Sequence, residues 1–234
     1  LQSQKNKSYH LGMGRGTYKA NLAKANEKRD YRIYESFASS LVAQAQALSI
    51  PDESFELQID APVYAIDATV VDLCLNLFWW GKFRRHKAAV KLHTMLDVKT
   101  NIPTFIFVTS GAVHELSLLD EFPIEEGSYY LLDKGYIEFE KLYRIHKSAA
   151  YFVMPAKDNF AFVRLNSRTV DKQSGVICDQ TVRLKNQLVS LKYPPELRRV
   201  KYRDAETDTQ LVFITNNFEL RPDEIAALYR YRWN

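Results

Sequence analysis

Two short apolar runs, each closed by an aspartate, constrain this chain more than anything else in it. Val63-Tyr64-Ala65-Ile66 ends at Asp67, and Tyr129-Tyr130-Leu131-Leu132 ends at Asp133, 66 residues further on. Runs so short, apolar and rich in β-branched or aromatic residues read as strands buried in a sheet. A carboxylate at the tip of such a strand is held rigidly, and it must be paired, hydrated or metal-bound to be tolerated there. Two of them side by side would form an oxygen-ligand site for a hard divalent cation.

The pattern around these runs predicts an α/β chain. Apolar residues Ile33, Phe37, Leu41, Ala45 and Leu48 recur at near-helical spacing, which predicts one amphipathic helix from Asn26 to Leu48, stopped by Pro51. Residues 63–71, 89–98 and 104–108 read as three consecutive strands, with Lys99-Thr100-Asn101-Ile102-Pro103 as the turn between the last two. A short helix over 115–121, a strand over 129–133, a helix over 137–147 and a strand over 151–154 follow. Three strands, then helix, strand, helix, strand is the order of a ribonuclease H-like core, a mixed sheet flanked by helices. Residues 158–212 break that rhythm: 160–164, 176–182 and 188–191 read as short strands, with Lys172-Gln173-Ser174-Gly175 as a hairpin connection. The expected organisation is an N-terminal segment and helix (1–50), a core (60–157), a β-rich insertion (158–212) and a return to the core (213–234). Pro222 followed by Asp223 and Glu224 starts a last helix. That helical pattern runs to Asn234, and with Leu1 in place of Met it predicts a fragment of a longer polypeptide.

Composition excludes several classes. A net charge of +4 and a pI near 8.9 permit an anionic partner without requiring one. Cys74 and Cys178 stand far apart and outside any metal-ligand spacing, so free thiols are expected rather than a disulfide or a zinc site. No apolar stretch is long enough for a membrane span, and no apolar core follows the polar start, so a cytoplasmic setting fits. Gly12, Gly14 and Gly16 lack a preceding strand and a following Gly-Lys-Ser/Thr, and read as a mobile leading segment rather than a phosphate loop.

The stretches Tyr64-Ala65-Ile66-Asp67-Ala68-Thr69-Val70-Val71-Asp72-Leu73, Leu132-Asp133-Lys134-Gly135-Tyr136 and Tyr229-Arg230-Tyr231-Arg232-Trp233 resemble bacterial insertion-sequence transposases of the DDE type. More narrowly, they are similar to the insertion-sequence-four-like branch marked by a Tyr-x-x-Arg-x-x-x-Glu-x-x-x-x-x-x-Lys signature. The resemblance runs from about Asn26 to Asn234 and includes a β-rich insertion between the second and third acidic positions. It implies cleavage and strand transfer on double-stranded DNA, a homodimer on paired transposon ends and a nucleoid-associated location. It also implies two Mg²⁺ or Mn²⁺ ions, the arrangement in which one ion sharpens the nucleophile and the other stabilises the leaving oxygen. Asp67 matches the first acidic position and Asp133 the second, as catalytic and metal-holding residues. Arg232 matches the signature arginine, which puts the third carboxylate two positions beyond Asn234. Glu224 does not replace it, since it lies 12 residues before that place on the same helix, roughly 18 Å away and rotated by about 120°. A polypeptide ending at Asn234 is therefore expected to be inactive. The alternatives are a truncated DNA-binding remnant and a ribonuclease H-like nuclease without strand transfer.

Other residues are candidates for DNA contact. Tyr229 and Arg232, three apart on one helix face, match family positions near the DNA, the alternative being a core tyrosine and a solvated arginine. Lys134, beside Asp133, reaches a phosphate or is an ordinary surface charge. The loop Phe78-Trp79-Trp80-Gly81-Lys82-Phe83-Arg84-Arg85-His86-Lys87 interleaves bases with aromatics, so that Lys82, Arg84, Arg85 and Lys87 suit phosphates while the rings suit unpaired bases. Aromatic packing beneath a charged rim is the bland alternative. Arg198, Arg199, Lys201 and Arg203 form a second basic run, read as a solvated strand face or a DNA contact. His114 and Glu115 suit a helix start or a supporting place near the metals, while His86 and His93 have no zinc-type partner.

Overall fold

Alternation along a single strand organises the molecule. In the computed structural model, which describes residues 18–49, 55–73, 82–84, 87–113 and 119–232, strand β1 (Val63–Leu73) sends Tyr64 and Ile66 into one buried cluster and Val63 and Ala65 into another. A strand buried on both faces sits in the middle of a sheet, and β1 does. Strand β3 (Lys87–Asp97) pairs antiparallel with it, and β4 (Ile102–Ser110) pairs antiparallel with β3. Short β2 (Lys82–Arg84) also pairs with β3. On the other side of β1, β5 (Tyr129–Leu131) runs parallel to it and β6 (Tyr151–Pro155) runs parallel to β5. An antiparallel meander of three strands with two parallel strands added on the far side of the first is the ribonuclease H-like arrangement expected from the order of elements. The chain is an α/β fold with a large mixed sheet flanked by helices.

The sheet does not stop at the core. Strand β10 (Gln210–Thr215) pairs antiparallel with β6, and β9 (Leu197–Arg203), β8 (Val176–Leu184) and β7 (Phe162–Arg168) follow outward in that order. The strands between β6 and β10 therefore extend the same ten-stranded sheet. Gly175 turns the chain between β7 and β8 at φ +83°, where an added Cβ would lie 2.9 Å from the Arg203 carbonyl oxygen and from the Tyr202 ring. Residues 188–191, expected as a strand, lie instead in a helix (Gln187–Lys192), because Asn186 Oδ1 accepts the Leu188 and Val189 N–H groups and starts it.

Helices cover both faces. The helix Phe139–Lys147 lays Leu142 and Ile145 on the Tyr64/Ile66 face. The helix Pro222–Arg230 lays Ile225, Ala226, Leu228 and Tyr229 on the opposite face, beside Val63, Ala65, Tyr129 and Leu131. Numbered in chain order, α1 is Lys19–Lys28, α2 Arg32–Leu48, α3 Phe139–Lys147, α4 Gln187–Lys192 and α5 Pro222–Arg230. Among the described residues, those up to Leu48 form one compact unit and those from Ser49 onward another. The single helix expected over Asn26–Leu48 is two, α1 and α2. Arg29 is extended (φ −77°, ψ 141°), and the Asp30 carboxylate accepts the Arg32 N–H and pairs with its guanidinium, a local bond that competes with a continuous helix. The apolar stripe of α2 is exposed at Ile33, Phe37, Leu41 and Leu48. Of the helix expected over 115–121, residues 115–118 lie outside the described residues and 119–121 form a turn instead; Gly12, Gly14, Gly16, Cys74, His86 and His114 also lie outside the described residues. Among the described residues no helix is long and apolar enough to cross a membrane.

Candidate active site

The parallel pairing of β1 with β5 decides where the two aspartates stand. Val63 is opposite Tyr129, Tyr64 opposite Tyr130 and Ala65 opposite Leu131, a constant offset of 66 residues. The ladder ends at Leu131; the same offset carried two residues past it would bring Asp133 beside Asp67, at the spacing of adjacent strands, about 5 Å. Alternation then assigns the face. Asp67 follows Val63 and Ala65, and Asp133 follows Tyr129 and Leu131, all four in the cluster beneath α5. Both carboxylates thus belong to the face that α5 covers. Asp133 precedes a short 3₁₀ turn (Lys134–Tyr136) in an extended conformation, and its side chain makes no capping bond to that turn. The carboxylate is not spent on ending a strand or holding a turn.

The end of α5 completes the cluster. Arg232 Nη2 donates to Asp67 Oδ1 at 2.8 Å; the arginine side chain is 4% exposed and the aspartate 64%. The Tyr229 ring is buried against Phe213, with ring centroids 5.1 Å apart, so its face offers no stacking surface to a base. Its hydroxyl is what reaches the site. Burial pushes its pKa up to about 12; the Arg232 guanidinium opposes that, while the charges of Asp133 and Asp67 add to it. Tyr229 thus feels the charges of Arg232, Asp133 and Asp67 together. Tyr231 secures this end of the chain: its hydroxyl accepts the Glu56 N–H at 2.9 Å and its ring lies 4.7 Å from that of Phe55.

Glu224 is occupied elsewhere. Its Oε2 accepts the Arg221 N–H at 2.7 Å and caps the start of α5. Among the described residues no group of three or more His, Cys, Asp or Glu is set to hold a metal ion. Two carboxylates brought side by side would nevertheless suit part of the oxygen shell of Mg²⁺ or Mn²⁺, and the Arg232 contact uses one oxygen of Asp67.

The remaining candidates scatter. Lys134 extends towards Asp158 at 3.6 Å, with both side chains well exposed. The side chains of Lys82, Arg84 and Lys87, and all of Arg85, lie outside the described residues. His93 is fully buried, its Nε2 2.9 Å from Thr109 Oγ1. Arg198, read from sequence as a solvated or DNA-facing residue, is 2% exposed and paired with Asp179. Nothing in the local pattern signals that inward turn, because a charged strand residue normally faces water. Arg199 lies over the Phe162 ring at 5.0 Å, and Arg203 pairs with Asp208.

The chain is 29% identical over 216 residues to a Sinorhizobium fredii protein bearing the name transposase y4zB, covering 91% of this chain and 58% of that one. It is 26% identical over 179 residues to a Geobacillus stearothermophilus protein named as a transposase for insertion sequence element IS5377, covering 76% and 46%. The chain thus spans about half the length of the curated relatives it matches. Among solved structures, an endonuclease V from Streptomyces avermitilis aligns with 85% of this chain and 83% of its own, at 14% identity and a TM-score of 0.32, too low to carry any argument. The model of the transposase DDE domain matches residues 58–234, which spans the sheet, both aspartates and α5. The chain belongs to the transposase DDE domain family.

Proposed function

We propose that this chain is the catalytic domain of an insertion-sequence transposase, and that Asp67 and Asp133 hold two Mg²⁺ or Mn²⁺ ions for cleavage and strand transfer on double-stranded DNA. One observation supports the reading: the constant offset between β1 and β5, which continued two residues past the ladder would bring the two aspartates side by side beneath α5. Bound there, the ions would supply a nucleophile at neutral pH and charge stabilisation for the leaving oxygen. The protein's own residues orient the substrate. The Arg232 guanidinium matches a phosphate in charge and fork geometry, and the Tyr229 hydroxyl donates to the backbone beside it. Lys134 adds phosphate affinity from the turn after Asp133, and Lys82, Arg84, Arg85 and Lys87 from the β1–β3 connection.

The Tyr229-x-x-Arg232 spacing favours the Tyr-Arg-Glu-Lys branch, whose glutamate supplies the third carboxylate. Names of relatives as transposases, one of them for an insertion sequence element, support DNA as partner. A homodimer on paired ends and a nucleoid-associated, cytoplasmic location follow from the same reading.

The test is cleavage of DNA bearing the ends of its own element, by a polypeptide continued through the glutamate, in Mg²⁺. Asp67→Asn or Asp133→Asn abolishes cutting and leaves DNA binding largely intact. Undiminished cutting by either variant overturns the assignment.

A further inference from the structure

The strands added beyond β6 reach back to the site through one buried ion pair. Arg198 on β9 and Asp179 on β8 are each 2% exposed. Arg198 Nε and Nη2 each lie 2.9 Å from an Asp179 oxygen, Oδ1 and Oδ2 respectively. The remaining arm, Nη1, donates to the carbonyl oxygens of Leu220 at 2.6 Å and Asn217 at 3.3 Å. Both carbonyls belong to residues 216–221, the connection from β10 into α5. Arg168 on β7 reinforces the pair, reaching Asp179 Oδ1 at 3.1 Å and Thr181 Oγ1 at 3.0 Å, with its guanidinium 5.4 Å from the Phe218 ring centroid. Asn217 Oδ1 accepts the N–H groups of Glu219 and Leu220, and its amide donates to the Tyr129 hydroxyl at 3.3 Å. The far end of α5 is held from the same side, where Arg230 Nη2 lies 3.3 Å from the Tyr202 hydroxyl and 3.5 Å from Asp204.

Geometry makes the anchored base matter. From Arg221 to Arg232 the chain rises about 16 Å, so a tilt of about 5° at the base moves the far end by about 1.4 Å. Displacements near 1 Å are enough to cost a catalytic site most of its rate. We infer that Arg198, oriented by Asp179, is a positioning residue: it fixes the base of α5 and so sets where Tyr229 and Arg232 stand over Asp67 and Asp133. The inference rests on the roles proposed above for Tyr229 and Arg232. It makes the added strands a brace for the site.

The test uses the whole chain with 3-fluorotyrosine at position 229, read by ¹⁹F NMR, and a fluorescein-labelled duplex of mixed sequence, read by anisotropy. Arg198→Lys keeps a charge against Asp179 but cannot hold two carboxylate oxygens and two carbonyls from one rigid fork. The expected variant melts cooperatively and binds Mn²⁺ as the parent does, because the aspartates ride on β1 and the end of β5. Its fluorine resonance moves, and duplex binding weakens about tenfold, the size of one coupled contact. In an Arg232→Ala background the same lysine adds less than about twofold. An unmoved resonance, or the full tenfold loss repeated without Arg232, overturns the inference. Should Arg198→Lys fail to fold, Asp179→Leu with Arg198→Met removes both buried charges together and is read in the same way. If Arg232→Ala alone leaves duplex binding unchanged, the role proposed for Arg232 falls, and the fluorine resonance still decides the positioning.

Discussion

Asparagine at position 67 and asparagine at position 133 remove the same charge from neighbouring places, yet they should differ in stability by the value of one contact. In the proposed side-by-side arrangement the two carboxylates stand about 5 Å apart, and in a water-like medium their repulsion is about 0.8 kcal/mol. Either substitution relieves it. Only Asp67→Asn also weakens a charged hydrogen bond, the 2.8 Å contact with an Arg232 side chain that is 4% exposed. A bond to a charged group contributes about 1.5–3 kcal/mol, and the 64% exposure of Asp67 discounts that to about 1 kcal/mol. For a unit of this size the expected result is an Asp133→Asn melting temperature about 2–4 °C above that of Asp67→Asn. Calorimetric melts without metal measure that difference. Repeated with Mn²⁺, the parent gains stability by mass action and both variants lose that gain. Equal melting temperatures, or a more stable Asp67→Asn, refute the Arg232 contact; a full Mn²⁺ gain in both variants refutes the metal site.

Asn216→Ala strips partners from the Phe152 N–H and the Ala150 carbonyl, bonded now at 2.9 and 2.8 Å; a loss of about 3 kcal/mol is expected from urea unfolding, and a loss below about 1 kcal/mol refutes the bonding. Gly175→Ala, at a left-handed φ with backbone 2.9 Å from the new methyl, should lower the urea midpoint by the equivalent of about 1–3 kcal/mol, and no change argues against that turn. Burial holds the phenols of Tyr129 and Tyr229 at about 12, above the ordinary 10, so they stay neutral in the folded chain while the unfolded chain ionises. Stability from this source is complete below pH 10 and is lost as pH rises towards 12. Phenylalanine at both positions should flatten the alkaline slope, and an unchanged slope would assign the loss elsewhere. Arg84→Ala with Arg85→Ala should weaken duplex binding and flatten its dependence on salt; an unchanged slope gives that loop a structural role.

Much of the core was legible because its signals are local. Apolar runs, helical spacing and the order of elements are carried by neighbouring residues, and they predict the three-strand meander, the two later core strands and α3. Both aspartates could be singled out because each interrupts an apolar run at its end. Errors arose where a short polar side chain overruled the pattern: Asp30 splits the first helix, and Asn186 turns a strand-like segment into one. Each acts through a bond to a backbone N–H two residues on, too small a feature to alter hydrophobic periodicity. Tyr229 was a candidate for DNA contact with a core tyrosine as the alternative, and the fold buries its ring against Phe213.

Sequence by itself determined the core strands, the faces they bury and the two acids that close their apolar runs, since side-chain alternation and hydrophobic spacing are properties of adjacent residues; in the fold Asp67 lies within β1 and Asp133 two residues past β5. Tertiary structure alone decides whether the acids meet. That depends on the register of a parallel pairing across 66 residues, and a slip of one would have sent Asp133 to the opposite face. It alone decided that Arg198 turns inward to hold the base of α5. A charge goes into a core only where a carboxylate and two carbonyls from distant segments arrive together to receive it.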